Sequence, residues 1–142
     1  MFGDIKEIIS FYRKFNRYKR YQDQELFFHI LPSYQLKQYL LHKQGDEVVG
    51  FTNWAFLNND AEKRFISTGI LKISDWKSGD KLWHIDFICA KNFKDFMSKA
   101  KKNCRNLIGL NNPTYWIRVD DNNKIYRKII RYVKENWSWV VL

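Results

Sequence analysis

The chain has 142 residues and a mass of 17.3 kDa, which suits one domain spanning 1–142. Hydrophobic residues make up 45% and aromatics 18%, which excludes disorder, collagen and low-complexity classes. With 25 Lys and Arg against 15 Asp and Glu the formal charge is +10, so an acidic partner is expected: nucleic acid, an anionic membrane or an acidic protein.

In chain order, Asp4 to Tyr21 reads as a helix, with Asp4 as N-cap and Ile5, Ile8, Ile9, Tyr12 and Phe15 at helical spacing. A short apolar stretch, Leu26 to Leu31, is expected to stop at Pro32. The period then changes. Leu36 to His42 and Glu47 to Ala55 read as strands joined by the turn Gln44-Gly45-Asp46. Asn58 to Ile70 has a helical period closed by Gly69, and Lys81 to Ala90 alternates as a strand. Asn92 to Asn103 reads as a basic amphipathic helix and Thr114 to Val119 as a strand. Asn123 to Asn136 is expected to be a helix with Ile125, Ile129, Tyr132 and Val133 inward and Lys128 and Arg131 outward. The tail Trp137 to Leu142 reads as a last strand. This order predicts an α/β (α+β) fold: a mixed, mostly antiparallel sheet flanked by helices.

Cys89 and Cys104 are the only cysteines, too few for a disulfide framework. The acid-bearing N-terminus does not resemble a secretory signal, and no apolar run reaches the roughly 18 residues of a membrane span. A cytoplasmic protein is therefore expected. The His and Cys residues lack zinc-ligand spacing, so no metal is expected. No glycine-rich phosphate loop precedes a helix. The basic excess lies outside residues 46–86, which hold five bases and seven acids (5 − 7 = −2). Without an RNP, helix-turn-helix or zinc-finger pattern, nucleic acid is a weaker reading than an acidic protein.

One segment carries more information: Asp75-Trp76-Lys77-Ser78-Gly79-Asp80-Lys81-Leu82-Trp83-His84-Ile85-Asp86-Phe87-Ile88. Asp86 sits between apolar residues on a strand, and a buried carboxylate is costly unless it is bonded or functional. The pattern DW-x-SGD-x-x-W-x-ID-x-I resembles the hallmark of RTX toxin-activating lysine acyltransferases. Leu31-Pro32, Gln38-Tyr39, Asn53-Trp54-Ala55 and Ile117-Arg118-Val119-Asp120 resemble further family patches, in the same order. The resemblance implies a fold similar to GCN5-type N-acetyltransferases. It also implies transfer of a fatty acyl group from acyl carrier protein, an acidic donor, to lysines of a protein substrate, with no bound cofactor.

In that pattern Asp86 matches the family's strand aspartate, and Tyr18 stands where the resemblance calls for a histidine. Three proton acceptors are then open: His84, two residues before Asp86 and expected on its face; His29, just before Leu31-Pro32; and Tyr18 itself. Gly79 is expected to supply a turn with positive φ that places the Asp86 strand, Trp83 to serve the core or touch the acyl chain, and Arg118 to anchor an anionic donor or pair with Asp120. A silent relative that only binds acyl carrier protein or another acidic protein, and a nucleic-acid-binding protein, are the alternatives. Oligomeric state, including a dimer, is left open.

Overall fold

The computed structural model describes residues 3–119 and 125–134, with the backbone alone at Val119 and 125–127. Four helices and five strands alternate as α1 (Gly3–Tyr12), α2 (Asp23–Gln35), β1 (Tyr39–Gln44), β2 (Glu47–Leu57), α3 (Asn59–Thr68), β3 (Lys81–Cys89), α4 (Phe93–Ile108), β4 (Pro113–Val119) and β5 (Ile125–Tyr132). The strands form one sheet in the order β1-β2-β3-β4-β5. All neighbours are antiparallel except β3 and β4, which α4 joins as a parallel crossover. The fold is thus α+β with a mixed, mostly antiparallel sheet.

Helices cover both faces. On one, Ile5, Ile8 and Tyr12 of α1 and Leu26 and Ile30 of α2 bury against Val48 and Phe51 of β2, while Phe65 of α3 packs on Trp76 and Trp83. On the other, Cys104 of α4 packs with Trp54, Leu82 and Val133. α3 starts where Asn58 accepts the amide of Ala61 and stops where Gly69 turns left-handed at φ 72°, both signals legible in the sequence.

Four expectations need correction. The first helix ends at Tyr12, and a 3-10 turn at Asn16–Tyr18 follows. A continuous helix would set positions 12 and 18 about 9 Å apart along its axis and about 240° apart around it. The break lets both phenols reach one target. α2 runs through Pro32 to Gln35, since the ring removes only one amide and the helix ends a turn later. Residues 125–132 form a strand, not a helix: five of the eight are Ile or Tyr, and an apolar spacing of four satisfies period two as well as a helix. There Ile129 and Val133 are buried while Tyr132 is exposed; the Lys128 and Arg131 cations lie over the Tyr115 and Trp116 rings at 5.3 and 5.9 Å. The expected strand 137–142 and Asp120 lie outside the described residues.

Gly79 is the fourth correction. It is not among the glycines with positive φ. Its requirement is space: a Cβ there would stand 2.5 Å from the Leu57 carbonyl oxygen and the Asn58 nitrogen, where the turn into β3 crosses the end of β2. Backbone atoms cannot swing aside, so Gly79→Ala is expected to lower the unfolding free energy by about 1–3 kcal/mol. Gly3→Ala, which meets nothing within 4 Å, should change it by less than about 0.5 kcal/mol. Urea midpoints at unchanged slope read the difference.

Candidate active site

Asp86 lies in the middle of β3 and is 5% exposed. A carboxylate removed from water must be matched by donors, and three converge on it. Tyr12 at the end of α1 donates its hydroxyl to Oδ2 at 2.7 Å. Tyr18 of the 3-10 turn donates to Oδ1 at 2.9 Å. His29 of α2 places Nε2 2.6 Å from Oδ2. The Arg17 guanidinium, stacked over the Tyr18 ring at 5.3 Å, adds positive potential.

A bulge turns Asp86 toward these donors. β2 and β3 pair Asn53 with Asp86 and then Trp54 with His84, so Ile85 has no partner of its own. Asn53 repairs the ladder there: its side-chain carbonyl accepts the Asp86 amide at 2.9 Å, and its amide group donates to the Ser33 hydroxyl on α2 at 3.0 Å. Thr52 donates its hydroxyl to the Asp86 carbonyl at 2.7 Å. β2 therefore fixes the carboxylate's backbone and, through Ser33, the helix that carries His29.

The bulge also separates His84 from Asp86, against the expectation that i and i+2 share a face. His84 belongs to the α4 side, with Nε2 3.2 Å from the Cys104 sulfur and its ring edge-on to Trp116. Burial pushes its pKa down to about 4 and pushes the Cys104 thiol up to about 12, so both are neutral at pH 7. The Tyr18 hydroxyl donates to Asp86, and burial first, then the Asp86 charge, raise its pKa far above the ordinary 10. Tyr12 behaves likewise. For Asp86, burial alone would favour the acid, but His29 and the Tyr12 hydroxyl outweigh it and hold the carboxyl well below its usual range. For His29, burial favours the neutral ring, and the Asp86 charge and hydrogen bond overcome this, raising it above 6.5.

Two cavities meet at this point. The parallel ladder between β3 and β4 covers only Leu82↔Thr114 and Trp83↔Tyr115, after which the strands part. A cavity of about 710 Å³ lies on the His29 side, between α2, the end of α3 and the gap. Another of about 430 Å³ lies on the α4 side. Arg17, Tyr18, Ile85, Asp86 and Ile117 line both. Arg118 lines the α4-side cavity. Trp83 lines neither: it is fully buried, stacked on Tyr115, with its indole N–H donated to Glu62 at 2.8 Å, so of its two expected places it takes the core. Gly79 also lines neither. Among the described residues no group of three or more His, Cys, Asp or Glu could hold a metal ion, and no helix is long and apolar enough to cross a membrane.

The sequence reading missed Tyr12, Arg17 and Thr52. Tyr12 looked like one more inward position of an apolar helix face. Its signal, a hydroxyl on a fully buried ring, needs a partner to be recognised. Asn53 was quoted only as part of a motif.

The chain matches, over residues 1–133, the model of a family described as the RTX toxin acyltransferase family. Over 60 residues it is 37% identical to the RTX-II toxin-activating lysine-acyltransferase ApxIIC of Actinobacillus pleuropneumoniae, covering 42% of this chain and 38% of that protein. It is 37% identical over 60 residues to the protein-lysine myristoyltransferase HlyC of Escherichia coli, covering 42% and 35%. A longer match, 25% identical over 132 residues and covering 90% and 87%, is to the uncharacterized protein sll0720 of a Synechocystis strain. The chain thus aligns with little more than a third of the length of the toxin-activating relatives.

The ion pair has a pH window. His29, raised above 6.5, stabilises the fold below that value and loses its contribution as pH rises through the raised value. Asp86, depressed below 3.8, contributes above 3.8 and is lost only as pH falls through its lowered value. Nitrogen-detected NMR of the imidazole rings is expected to give His29 a midpoint above 6.5. In Asp86→Asn, where burial and Arg17 act unopposed, the midpoint should fall below 6.5 while His84 stays near 4. A wild-type midpoint at or below 6.5 would rule out the ion pair.

Proposed function

The chain belongs to the RTX toxin acyltransferase family, and from that membership we propose that it transfers a fatty acyl group from acyl carrier protein to a lysine side chain of a protein substrate. The observation that carries this reading is the His29–Asp86 pair, 2.6 Å apart at the wall of an open cavity. Asp86 occupies Nε2, which fixes the tautomer and leaves Nδ1 for a substrate proton.

The proposed reaction uses that geometry. The neutral lysine amine attacks the thioester carbonyl carbon, so a C–N bond forms and the C–S bond breaks. Nδ1 of His29 takes the proton that the amine loses and returns it to the departing sulfur. Asp86 stabilises the imidazolium in between without taking the proton itself. Tyr12 and Tyr18 hold the carboxylate. A histidine serves better than a tyrosine here because its pKa lies near the working pH.

The short link between β3 and α4 supports a carrier-protein donor. A nucleotide donor would bring phosphates, which favour glycine-rich loops at helix starts. Here the link is Ala90-Lys91-Asn92 and the first turn of α4 carries the acid Asp95. A carrier-protein donor would also place the reaction in the cytoplasm.

Incubation with acyl-loaded carrier protein and a lysine-bearing acceptor, read by mass spectrometry, is expected to yield an acyl-lysine. His29→Ala and Asp86→Ala should each lower kcat/KM by about 10²–10⁴-fold, and His84→Ala by far less. The pH profile of kcat/KM should rise as His29 loses its proton, with the same midpoint above 6.5 that NMR gives. No acyl transfer to any lysine, including the chain's own, would favour a silent carrier-binding relative instead.

A further inference from the structure

The two cavities that meet at Asp86 differ in chemistry. Beyond the residues they share, Arg17 and Asp86 among them, the His29-side cavity adds the polar, proton-exchanging groups of His29, Glu25 and Thr68 beside the apolar Leu26, Phe28 and Phe65. The α4-side cavity takes Phe93, Met97 and Ala100 from one face of α4, at i, i+4 and i+7, against Phe87, Ile88 and Trp116 of the sheet. The next residue along that helical face, Cys104, meets His84, and both are neutral, so this end of the wall carries no charge at pH 7. Met97 and Ala100 are 7% and 6% exposed, so they form floor rather than rim.

We propose that the α4-side cavity seats the donor's acyl chain and that Met97 and Ala100 set the chain length it accepts. This rests on the acyltransferase reading and adds sidedness to it: the chain enters from the α4 face, its thioester lies in the gap between β3 and β4, and the acceptor lysine arrives from the His29 side. Charge supports the assignment. α4 carries Lys94, Lys99, Lys101, Lys102 and Arg105 against the single acid Asp95, whereas α3 balances Lys63 and Arg64 with Asp60 and Glu62. An acidic carrier is therefore drawn to the helix whose apolar side walls this cavity. Burying methylenes between α4 and the sheet, and keeping the proton-exchanging His29 on the other side, keeps the two substrates from exchanging places.

The test uses carrier protein loaded with S-alkyl thioethers, which cannot transfer, in a series lengthened one methylene at a time. Titration of the full chain is expected to show affinity rising by up to about fourfold per methylene until the cavity is full, then levelling. Ala100→Leu should bring that limit forward by roughly three methylenes, the carbons it adds to the floor. Met97→Ala should move the limit the other way, so one informative variant remains if the bulkier one fails to fold. Phe28→Ala, at the opposite cavity, should leave the limit in place. The proposal is overturned if the wild type shows no length dependence, if neither α4 variant moves the limit, or if Phe28→Ala does. Acyl-lysine formation is scored separately by mass spectrometry. Length dependence without transfer would count against the reaction; transfer without an α4 effect would count against the seat.

Discussion

A buried carboxylate governs this structure. Asp86 sits in the interior as an anion, and taking a charge out of water costs several kcal/mol unless donors replace the lost solvent. Tyr12, Tyr18 and His29 are those donors, and they come from α1, the 3-10 turn and α2. The N-terminal quarter of the chain is therefore clipped to the centre of the sheet through one side chain. The apolar cluster of Ile5, Ile8, Leu26, Ile30 and Phe51 holds the same interface by burial. The two devices differ in specificity. Burial tolerates a shifted helix, whereas three hydrogen bonds to one carboxylate do not.

The same constraint explains the irregularities around it. β3 needs Trp83 and Ile85 on the α3 side and Asp86 next to them, facing α1 and α2. Regular alternation cannot supply two consecutive residues on one side. The bulge supplies them, and Asn53 and Thr52 satisfy the amide and carbonyl of Asp86 that it disturbs. His84 is thereby left on the α4 side, beside Cys104, in surroundings that keep both neutral. Beyond Trp83 the strands β3 and β4 part, and the gap gives the carboxylate's neighbourhood access to both faces of the sheet.

Features written in local chemistry were legible in the sequence, and those written in register were not. The acid between Ile85 and Phe87, the Gln44-Gly45-Asp46 turn and the Asn58 and Gly69 ends of α3 each carry their cause within a few residues. The bulge does not, because its stabilising groups lie on another strand about thirty positions away. His29 was legible only as one of three candidates: neither the helix through Pro32 nor the break after Tyr12 was expected, and together they bring α2 back over Asp86. β5 was misread because Ile125, Ile129 and Val133 fit both periods, and only pairing with β4 decides between them. Gly79 was identified as necessary for the wrong reason, since close approach of another segment leaves no local trace.

The charge that opened the sequence question has a structural answer. Among the described residues the buried ionised groups are acids: Glu62, Asp75 and Asp86. Glu62 is held by Lys81 and the Trp83 indole, Asp75 by Arg64, and Asp86 by its three donors. Arg64 and Lys81 keep about a third of their side chains exposed, 33% and 35%, while their carboxylate partners fall to 8% and 10%. Negative charge is therefore withdrawn into the interior and positive charge is left outside. The outward surface is more basic than the formal +10 states. Lys128 and Arg131 stand over aromatic rings, and α4 carries five bases against the single acid Asp95.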